Sequence, residues 1–127
     1  MLFDAKYYTY PDGQFAVREF VDFTFFLHPH KMRSYLEGYR RRIGNALDDY
    51  HVLYFADEFP VEDEEYFGDH GVAVYWHDPA EDILHITLME EAEYYRQLAK
   101  ALQHYSHIFS DDELAFLLTE LESLINS

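Results

Sequence analysis

Two short alternating runs near the middle of the chain constrain its fold more than any other feature. Residues 71–77 (GVAVYWH) alternate apolar side chains in the period-two pattern of a β-strand. Residues 77–82 (HDPAED) carry turn-forming residues, and residues 83–88 (ILHITL) return as a second strand-like run. We therefore expect an antiparallel hairpin at about 71–88, which commits this part of the chain to a sheet.

Two helices are predicted to close the chain. Residues 89–105 place apolar side chains on one side and begin with several glutamates, which suit the positive end of a helix dipole. Ser110 and Glu113 have the spacing of a capping box, with the serine accepting from the amide of Glu113 and the glutamate reaching back. The leucine stripe that follows, over residues 114–125, indicates a helix with one buried face.

The first half of the chain gives weaker signals. Residues 1–13 suggest an irregular or strand-like lead-in that ends in a Pro-Asp-Gly turn. Residues 14–27 fit both periods, and the length of the run favours a helix. A second helix is predicted over residues 31–49, and a short strand over 51–56. The pattern as a whole is typical of an α+β protein, with helices packed on a small antiparallel sheet.

Composition sets the broad class of protein. A chain of 127 residues, 49 % of them hydrophobic, can bury the core of a single domain, which we expect to span residues 1–127. The absence of cysteine rules out disulfides and thiolate metal sites and fits a cytoplasmic location. The first residues lack the apolar region of a signal peptide, and no apolar run is long enough for a membrane span.

The charge is high and unevenly placed. The formal net charge is −16, which argues against nucleic acid or an acidic membrane surface as a direct partner. Residues 43–95 hold 15 acidic residues and no Lys or Arg, whereas residues 1–42 hold 7 basic and 5 acidic residues. The middle of the chain is therefore a concentrated anion, and a field of this kind attracts basic proteins.

Residues 57–69, DEFPVEDEEYFGD, are the densest part of this anion and are called the acidic segment below. They hold seven carboxylates in thirteen residues, interleaved with aromatic side chains. A loop is expected, with one helical turn at about 62–66. Acids beside aromatic residues are typical of protein interfaces, where the aromatics give buried contact and the acids steer and pair. The predicted partner-binding residues are Asp57, Glu58, Glu62, Asp63, Glu64, Glu65, Tyr66, Phe67 and Asp69.

Catalytic and metal sites find little support in the sequence. His104 and His107 have a spacing that could share a helix face, but no further ligand is evident, and helix-end histidines explain them. No nucleotide-binding, serine-hydrolase or metalloprotease motif is present. We expect no metal, no cofactor and no enzymatic activity. An enzyme that uses paired carboxylates would need two acids in a deep pocket.

Arg40, Arg41 and Arg42 form the densest basic cluster in the sequence. Consecutive helical residues point about 100° apart, so the three side chains do not form one phosphate site. We expect them to pair with nearby acids, either Asp48 and Asp49 or those of the acidic segment.

Several short motifs in residues 51–105 follow one another in a characteristic order. They are Asp57-Glu58-Phe59-Pro60, an acidic run ending in Tyr66-Phe67, Gly71-Val72 at the start of a strand, a second short strand, and a helix containing Glu93-Tyr94-Tyr95. This order resembles the immunity proteins of contact-dependent growth inhibition (CDI) systems, in particular those paired with ribonuclease toxins. The segment before Gly71 is longer and more acidic here than in that pattern.

The resemblance implies a small cytoplasmic α+β protein that binds one cognate toxin domain and blocks its active site or substrate groove. We expect it to be a monomer or a weak dimer. Such a toxin domain is usually a basic nuclease. No contact residue is carried over from the family, so the partner-binding residues rest on the charge pattern. A different class of function shares the acidic surface: a nucleic-acid mimic or adaptor that occupies a basic nucleic-acid-binding protein. That alternative predicts binding to several unrelated basic proteins.

Overall fold

A five-stranded sheet forms one layer of the computed structural model, which describes residues 4–127. The strand order is β1-β5-β4-β3-β2. The strands are β1 (Asp4–Thr9), β2 (Asn45–Ala46), β3 (Val52–Phe55), β4 (Val72–Asp78) and β5 (Ile83–Met89). Strands β2 to β5 pair antiparallel, and β1 pairs parallel with β5. The sheet is therefore mixed and larger than the small antiparallel sheet expected from the sequence.

The central hairpin has the predicted position. In β4 and β5, Val74 lies opposite Thr87 and Tyr75 opposite Ile86. Because side chains alternate between the faces of a strand, these two neighbouring pairs lie on opposite faces of the sheet. Both faces are buried at this point, since all four residues are at most 8 % exposed.

Strand β1 comes from the segment expected to be irregular or strand-like, of which residues 1–3 lie outside the described residues. The Pro-Asp-Gly turn then leads into the first helix. Gly13 has a φ of −92°, so a left-handed conformation is not the reason for glycine here. A Cβ at this position would lie 2.1 Å from Oγ1 of Thr87, so close packing against β5 requires the missing side chain.

Four helices accompany the sheet. They are α1 (Gln14–Leu27), α2 (Met32–Arg40), α3 (Glu91–His104) and α4 (Asp111–Ile125), with short 3₁₀ turns at Pro29–Lys31, Ala56–Glu58 and Ser106–Ile108. The main core brings together Phe20 of α1, Leu36 of α2, Leu98 of α3, Leu117 of α4 and Val74 of the sheet. The helices therefore pack on one face of the sheet, which confirms the α+β class and the two C-terminal helices.

The second predicted helix is shorter than expected, because α2 ends at Arg40 instead of continuing to residue 49. The amide of Ile43 donates to the carbonyl of Gly38 at 2.8 Å, and that of Arg42 to Tyr39 at 2.9 Å. With Arg42 at a φ of +58°, these bonds form a Schellman motif, which stops a helix. The chain then enters β2. Just before this strand, a Cβ on Gly44 would lie 1.8 Å from the carbonyl oxygen of Leu53, so the close approach to β3 requires glycine.

The last helix begins as predicted, but only half of its capping box is present. Oγ of Ser110 accepts a hydrogen bond from the amide of Glu113 at 3.2 Å. The side chain of Glu113 does not reach back to the cap. It accepts from Arg33, whose Nη2 lies 2.7 Å from Oε2, and so ties α4 to α2. The helices of the described residues include none long and apolar enough to cross a membrane.

Candidate partner-binding surface

The acidic segment connects the end of β3 to the start of β4 by a sequence of tight turns. The Ala56–Glu58 3₁₀ turn leads into it. The amide of Asp63 then donates to the carbonyl of Pro60 at 2.9 Å, and that of Tyr66 to Asp63 at 3.1 Å. The helical turn expected at 62–66 is thus replaced by these hydrogen-bonded turns.

The aromatic side chains of the acidic segment fix it to the sheet. Phe67 packs against the cluster of Ala73, Tyr75, Leu84 and Ile86, which is separate from the main core. This cluster lies on the sheet face that the helices leave open, because its residues alternate with the core residues of the same strands. The segment is therefore a cover over the second face of the sheet.

Phe59 extends this aromatic contact. Its ring centroid lies 4.9 Å from that of Tyr54 on β3 and 6.1 Å from that of Phe67. Separations of this size are typical of favourable aromatic pairs. Together the two phenylalanines give the acidic segment a defined backbone conformation instead of that of a solvated loop.

The charges of the segment lie on its outer side. Glu62, Asp63 and Glu64 are exposed, and Glu65 is half-buried at the boundary with the sheet. Burial, and then the negative charge of Glu65, raises the pKa of the Tyr75 phenol. The carboxylate of Glu65 is therefore near the covered face, whereas the three acids before it project into solvent.

Two of the predicted binding acids, at the start of the segment, are already engaged inside the protein. Oδ2 of Asp57 lies 2.9 Å from Nε of Arg42. Oε2 of Glu58 accepts from the backbone amide of Phe55 at 2.8 Å, and its carboxylate also accepts from the amide of Gly44 at 3.2 Å. These two contacts tie the start of the segment to the turn after α2 and to β3.

Asp69 has a partner at the other end of the segment. Its Oδ1 lies 2.9 Å from Nδ1 of His70, whose Nε2 lies 3.5 Å from Oε1 of Glu90. The hydrogen bond to Asp69, followed by the charge of Glu90, raises the pKa of His70. His70 therefore joins the acidic segment to the residue that precedes α3.

The remaining acids of the segment have no cationic partner among residues 4–127. Glu62, Glu64 and Glu65 have no ion pair there, and the carboxylate of Asp63 accepts from the amide of Glu65 at 2.8 Å. Tyr66 follows them and is half-buried. The structure thus separates the predicted set into acids that hold the segment in place and a central group, Glu62 to Tyr66, in which the first three residues are exposed and the last two are half-buried.

Two arginines, at the end of α2 and just after it, pair with acids outside the central group. As expected, Arg42 pairs with an acid of the segment, Asp57, and it also binds Glu91 at the start of α3. Arg40 binds Glu120 of α4. Because these cations are engaged with acids elsewhere, they do not neutralise the central group.

Sequence reasoning missed the acids that extend this surface beyond the segment. Glu90 and Glu93 were interpreted through the helix dipole alone, yet they lie beside the end of the acidic segment. The contact of His70 with Glu90 brings them together. The high density of acids around residue 90 was visible in the sequence, but its place in space depends on the pairing of β4 with β5.

The described residues contain no cluster of three or more metal-ligating side chains. His104 ends α3, and His107 lies in the following 3₁₀ turn. Glu90 and Glu93, which line a cleft beside the end of the acidic segment, have side chains 73 % and 31 % exposed, unlike acids sequestered for acid chemistry.

The family model of CDI immunity proteins matches residues 16–116 of the chain. This range includes the whole acidic segment, helices α2 and α3, most of α1 and the first turns of α4. No curated protein and no solved structure matches the chain significantly.

Proposed function

The chain belongs to the CDI immunity protein family, and we propose that it neutralises a basic nuclease toxin, most simply a ribonuclease, by binding it through the acidic segment. Membership of this family makes the protein an antitoxin for a cognate toxin. The proposal adds the chemical nature of the toxin and the surface that binds it. The action is stoichiometric, non-catalytic and cytoplasmic.

The observation that carries the proposal is the group of unpaired carboxylates on a well-anchored backbone. A nuclease holds the phosphates of its substrate with Lys and Arg side chains, and carboxylates bind the same cations through charge-assisted hydrogen bonds. Glu62, Glu64 and Glu65 have no ion pair inside residues 4–127 that a toxin would have to break. Their charge is thus available to replace phosphate.

The anchoring matters as much as the charge. A mobile acidic loop would lose conformational entropy on binding, which lowers affinity. Here Phe59 and Phe67 hold the segment against the sheet before any partner arrives. In the proposal Phe67 supports the surface from beneath, Tyr66 supplies aromatic contact at its edge, and Asp57, Glu58 and Asp69 position the ends and add to the field.

The long-range field completes the mechanism. Complementary charge raises the rate of encounter by ten- to a thousandfold at low salt. A toxin made in the same cell must be captured before it cleaves its substrate, so a high association rate constant is the useful property. The uninterrupted negative charge of residues 43–95 provides that field.

Co-expression with the toxin domain encoded directly upstream tests the proposal. The wild-type protein should keep the cells alive and co-purify with the toxin. A variant with Glu62→Lys, Asp63→Lys, Glu64→Lys and Glu65→Lys, called the segment variant, should lose protection. The matched control carries the same four-residue charge reversal at Asp12, Glu37, Glu81 and Glu122, which are exposed and distant in sequence from the segment.

Three outcomes would count against the proposal. Equal protection by the segment variant and the wild type would place the interface elsewhere. If the toxin is not basic, or is not a nuclease, the acidic segment would have no phosphate-binding cations to occupy. Binding to several unrelated basic proteins in competition with duplex DNA would instead favour the nucleic-acid mimic.

A further inference from the structure

A cleft of about 390 Å³ opens at the end of the sheet, next to the acidic segment. It lies where β4 begins and β5 ends, between the segment and the start of α3. Its lining includes Tyr10, Phe67, Val72, Leu88, Glu90 and Glu93. Small-ligand pockets span roughly 300–1,000 Å³, so this cleft suits one long side chain better than an extended peptide.

The lining divides into apolar walls and a charged mouth. Phe67 and Leu88 supply apolar surface, and the ring of Tyr10 adds an aromatic wall whose hydroxyl accepts from Nε2 of Gln97 at 3.0 Å. Glu90 and Glu93, one helical turn apart, bring the carboxylates. None of the lining residues is Lys or Arg, but Arg96, outside the lining, pairs with Glu93 at 3.0 Å. Glu90 is therefore the lining carboxylate that has no Lys or Arg partner among the described residues.

We infer that this cleft receives an arginine side chain of the toxin, an inference that rests on the proposed function and adds a specific anchor to it. The guanidinium group is planar, stacks on aromatic rings and pairs with carboxylates through a fork of donors. Its aliphatic stem buries well against apolar surface. The cleft offers both environments, because Phe67, Leu88 and Tyr10 line it together with Glu90. A compact lysine ammonium would use the aromatic walls less well.

The mouth of the cleft already holds an imidazole between two carboxylates in the free protein. His70 lies 3.5 Å from Glu90 and 2.9 Å from Asp69, and it also lines the cleft. An entering guanidinium would compete with protonated His70 for Glu90. The geometry at the mouth is therefore already suited to a cation held by carboxylates.

The anchor and the acidic segment should act on different steps of binding. Exposed acids steer encounter and set the association rate constant, whereas a side chain desolvated in a pocket slows dissociation. An arginine in the cleft would lie at one edge of the covered sheet face and fix the orientation of the toxin. This separation makes the inference testable apart from the proposed function.

Nuclear magnetic resonance titration with N-acetyl-argininamide tests the cleft without the toxin. We expect saturable shifts centred on the amides of Phe67, Gly71 and Glu90. N-acetyl-glutaminamide, which lacks the charge, should cause none, and the lysine analogue should bind at least threefold more weakly. Glu90→Gln should abolish the shifts, whereas Glu62→Gln should leave them unchanged. Shifts spread over all acidic regions, or equal binding of lysine and arginine, would overturn the inference.

The complex with the toxin supplies the second arm of the test. Glu90→Gln should raise the dissociation rate constant at least tenfold and change the association rate constant by less than twofold. An unchanged dissociation rate constant would overturn the inference. Protection of cells by the wild type, together with failure of both arms, would reject the arginine anchor and leave the proposed function standing. Loss of protection by the wild type itself would reject the proposed function.

Discussion

The ring of Phe67 meets that of Phe59 edge-on, with 6.1 Å between the two centroids and 69° between the ring planes. The two residues belong to the most acidic part of the chain, yet both turn toward the sheet. Their contact explains how seven carboxylates in thirteen residues can lie on an ordered backbone. The acidic segment is thereby both the cover of the second sheet face and the proposed binding surface.

Removal of the Phe67 ring should destabilise the protein. Phe→Ala in a full core costs about 3–5 kcal/mol, and the half-buried position of Phe67 lowers the expected loss to about 1–3 kcal/mol. Urea unfolding of Phe67→Ala measures it. Val61→Ala is the matched control, because Val61 is 73 % exposed and its loss should change the free energy of unfolding very little. Equal stability of both variants would show that Phe67 does not anchor the segment.

Glu58 should prove structural, unlike Glu62. Glu58→Ala removes the acceptor for the amides of Phe55 and Gly44, and we expect a loss of roughly 1–3 kcal/mol in the free energy of unfolding. Glu62→Ala, which removes an exposed carboxylate without an ion pair in the described chain, should have no such effect. Thermal unfolding of the two variants distinguishes them. A more stable Glu58→Ala would mean that relief of charge repulsion outweighs the hydrogen bonds.

The secondary structure was predictable where local signals agreed with tertiary packing. The 71–88 hairpin, helix α1 and the Ser110 cap follow from period and capping, and the structure confirms them. The parallel pairing of β1 with β5 was not predictable, because it joins residues nearly eighty positions apart. The end of α2 was missed because Arg42, not glycine, takes the left-handed position of its Schellman motif.

The candidate site was likewise predictable from the sequence only in part. The density of acids in residues 57–69 was evident from the sequence. Their separation into engaged and outward-facing residues was not, because Asp57 and Glu58 are engaged by residues of the turn after α2, more than ten positions earlier. The orientation of Phe67 likewise depends on which sheet face the helices leave open, and that face is set by packing.

The ion pair of Arg33 with Glu113 should make stability depend on pH. The hydrogen bond from Arg33 holds the pKa of Glu113 below its usual value. The pair therefore stabilises the fold fully above the unfolded pKa, near 4.5, and this contribution fades as the pH falls through the lower folded pKa. The difference in melting temperature between wild type and Glu113→Gln should be small and positive at about pH 7 and vanish at about pH 3. Glu122→Gln should show no such trend.

His70 should make the arginine cleft sensitive to pH. Its raised pKa results from Asp69 and Glu90. The other titratable groups that line the cleft are Tyr10 and Glu93. As the pH rises through this pKa, His70 loses its charge and stops competing for Glu90. Binding of N-acetyl-argininamide should therefore strengthen between about pH 6 and pH 8. His70→Gln should remove the pH dependence of binding. If binding to this variant still depends on pH, another titratable group causes the dependence.

The rate at which the protein associates with its toxin, measured by stopped flow across a range of salt concentrations, tests the central claim most directly. The segment variant and the control with four reversed charges elsewhere have the same net charge, so only the position of the charge differs. We predict that the segment variant associates at least tenfold more slowly at low salt, with a flattened salt dependence, and that the control stays much closer to the wild type. Equal association rate constants for the two variants would contradict the assignment of the toxin-binding surface to the acidic segment.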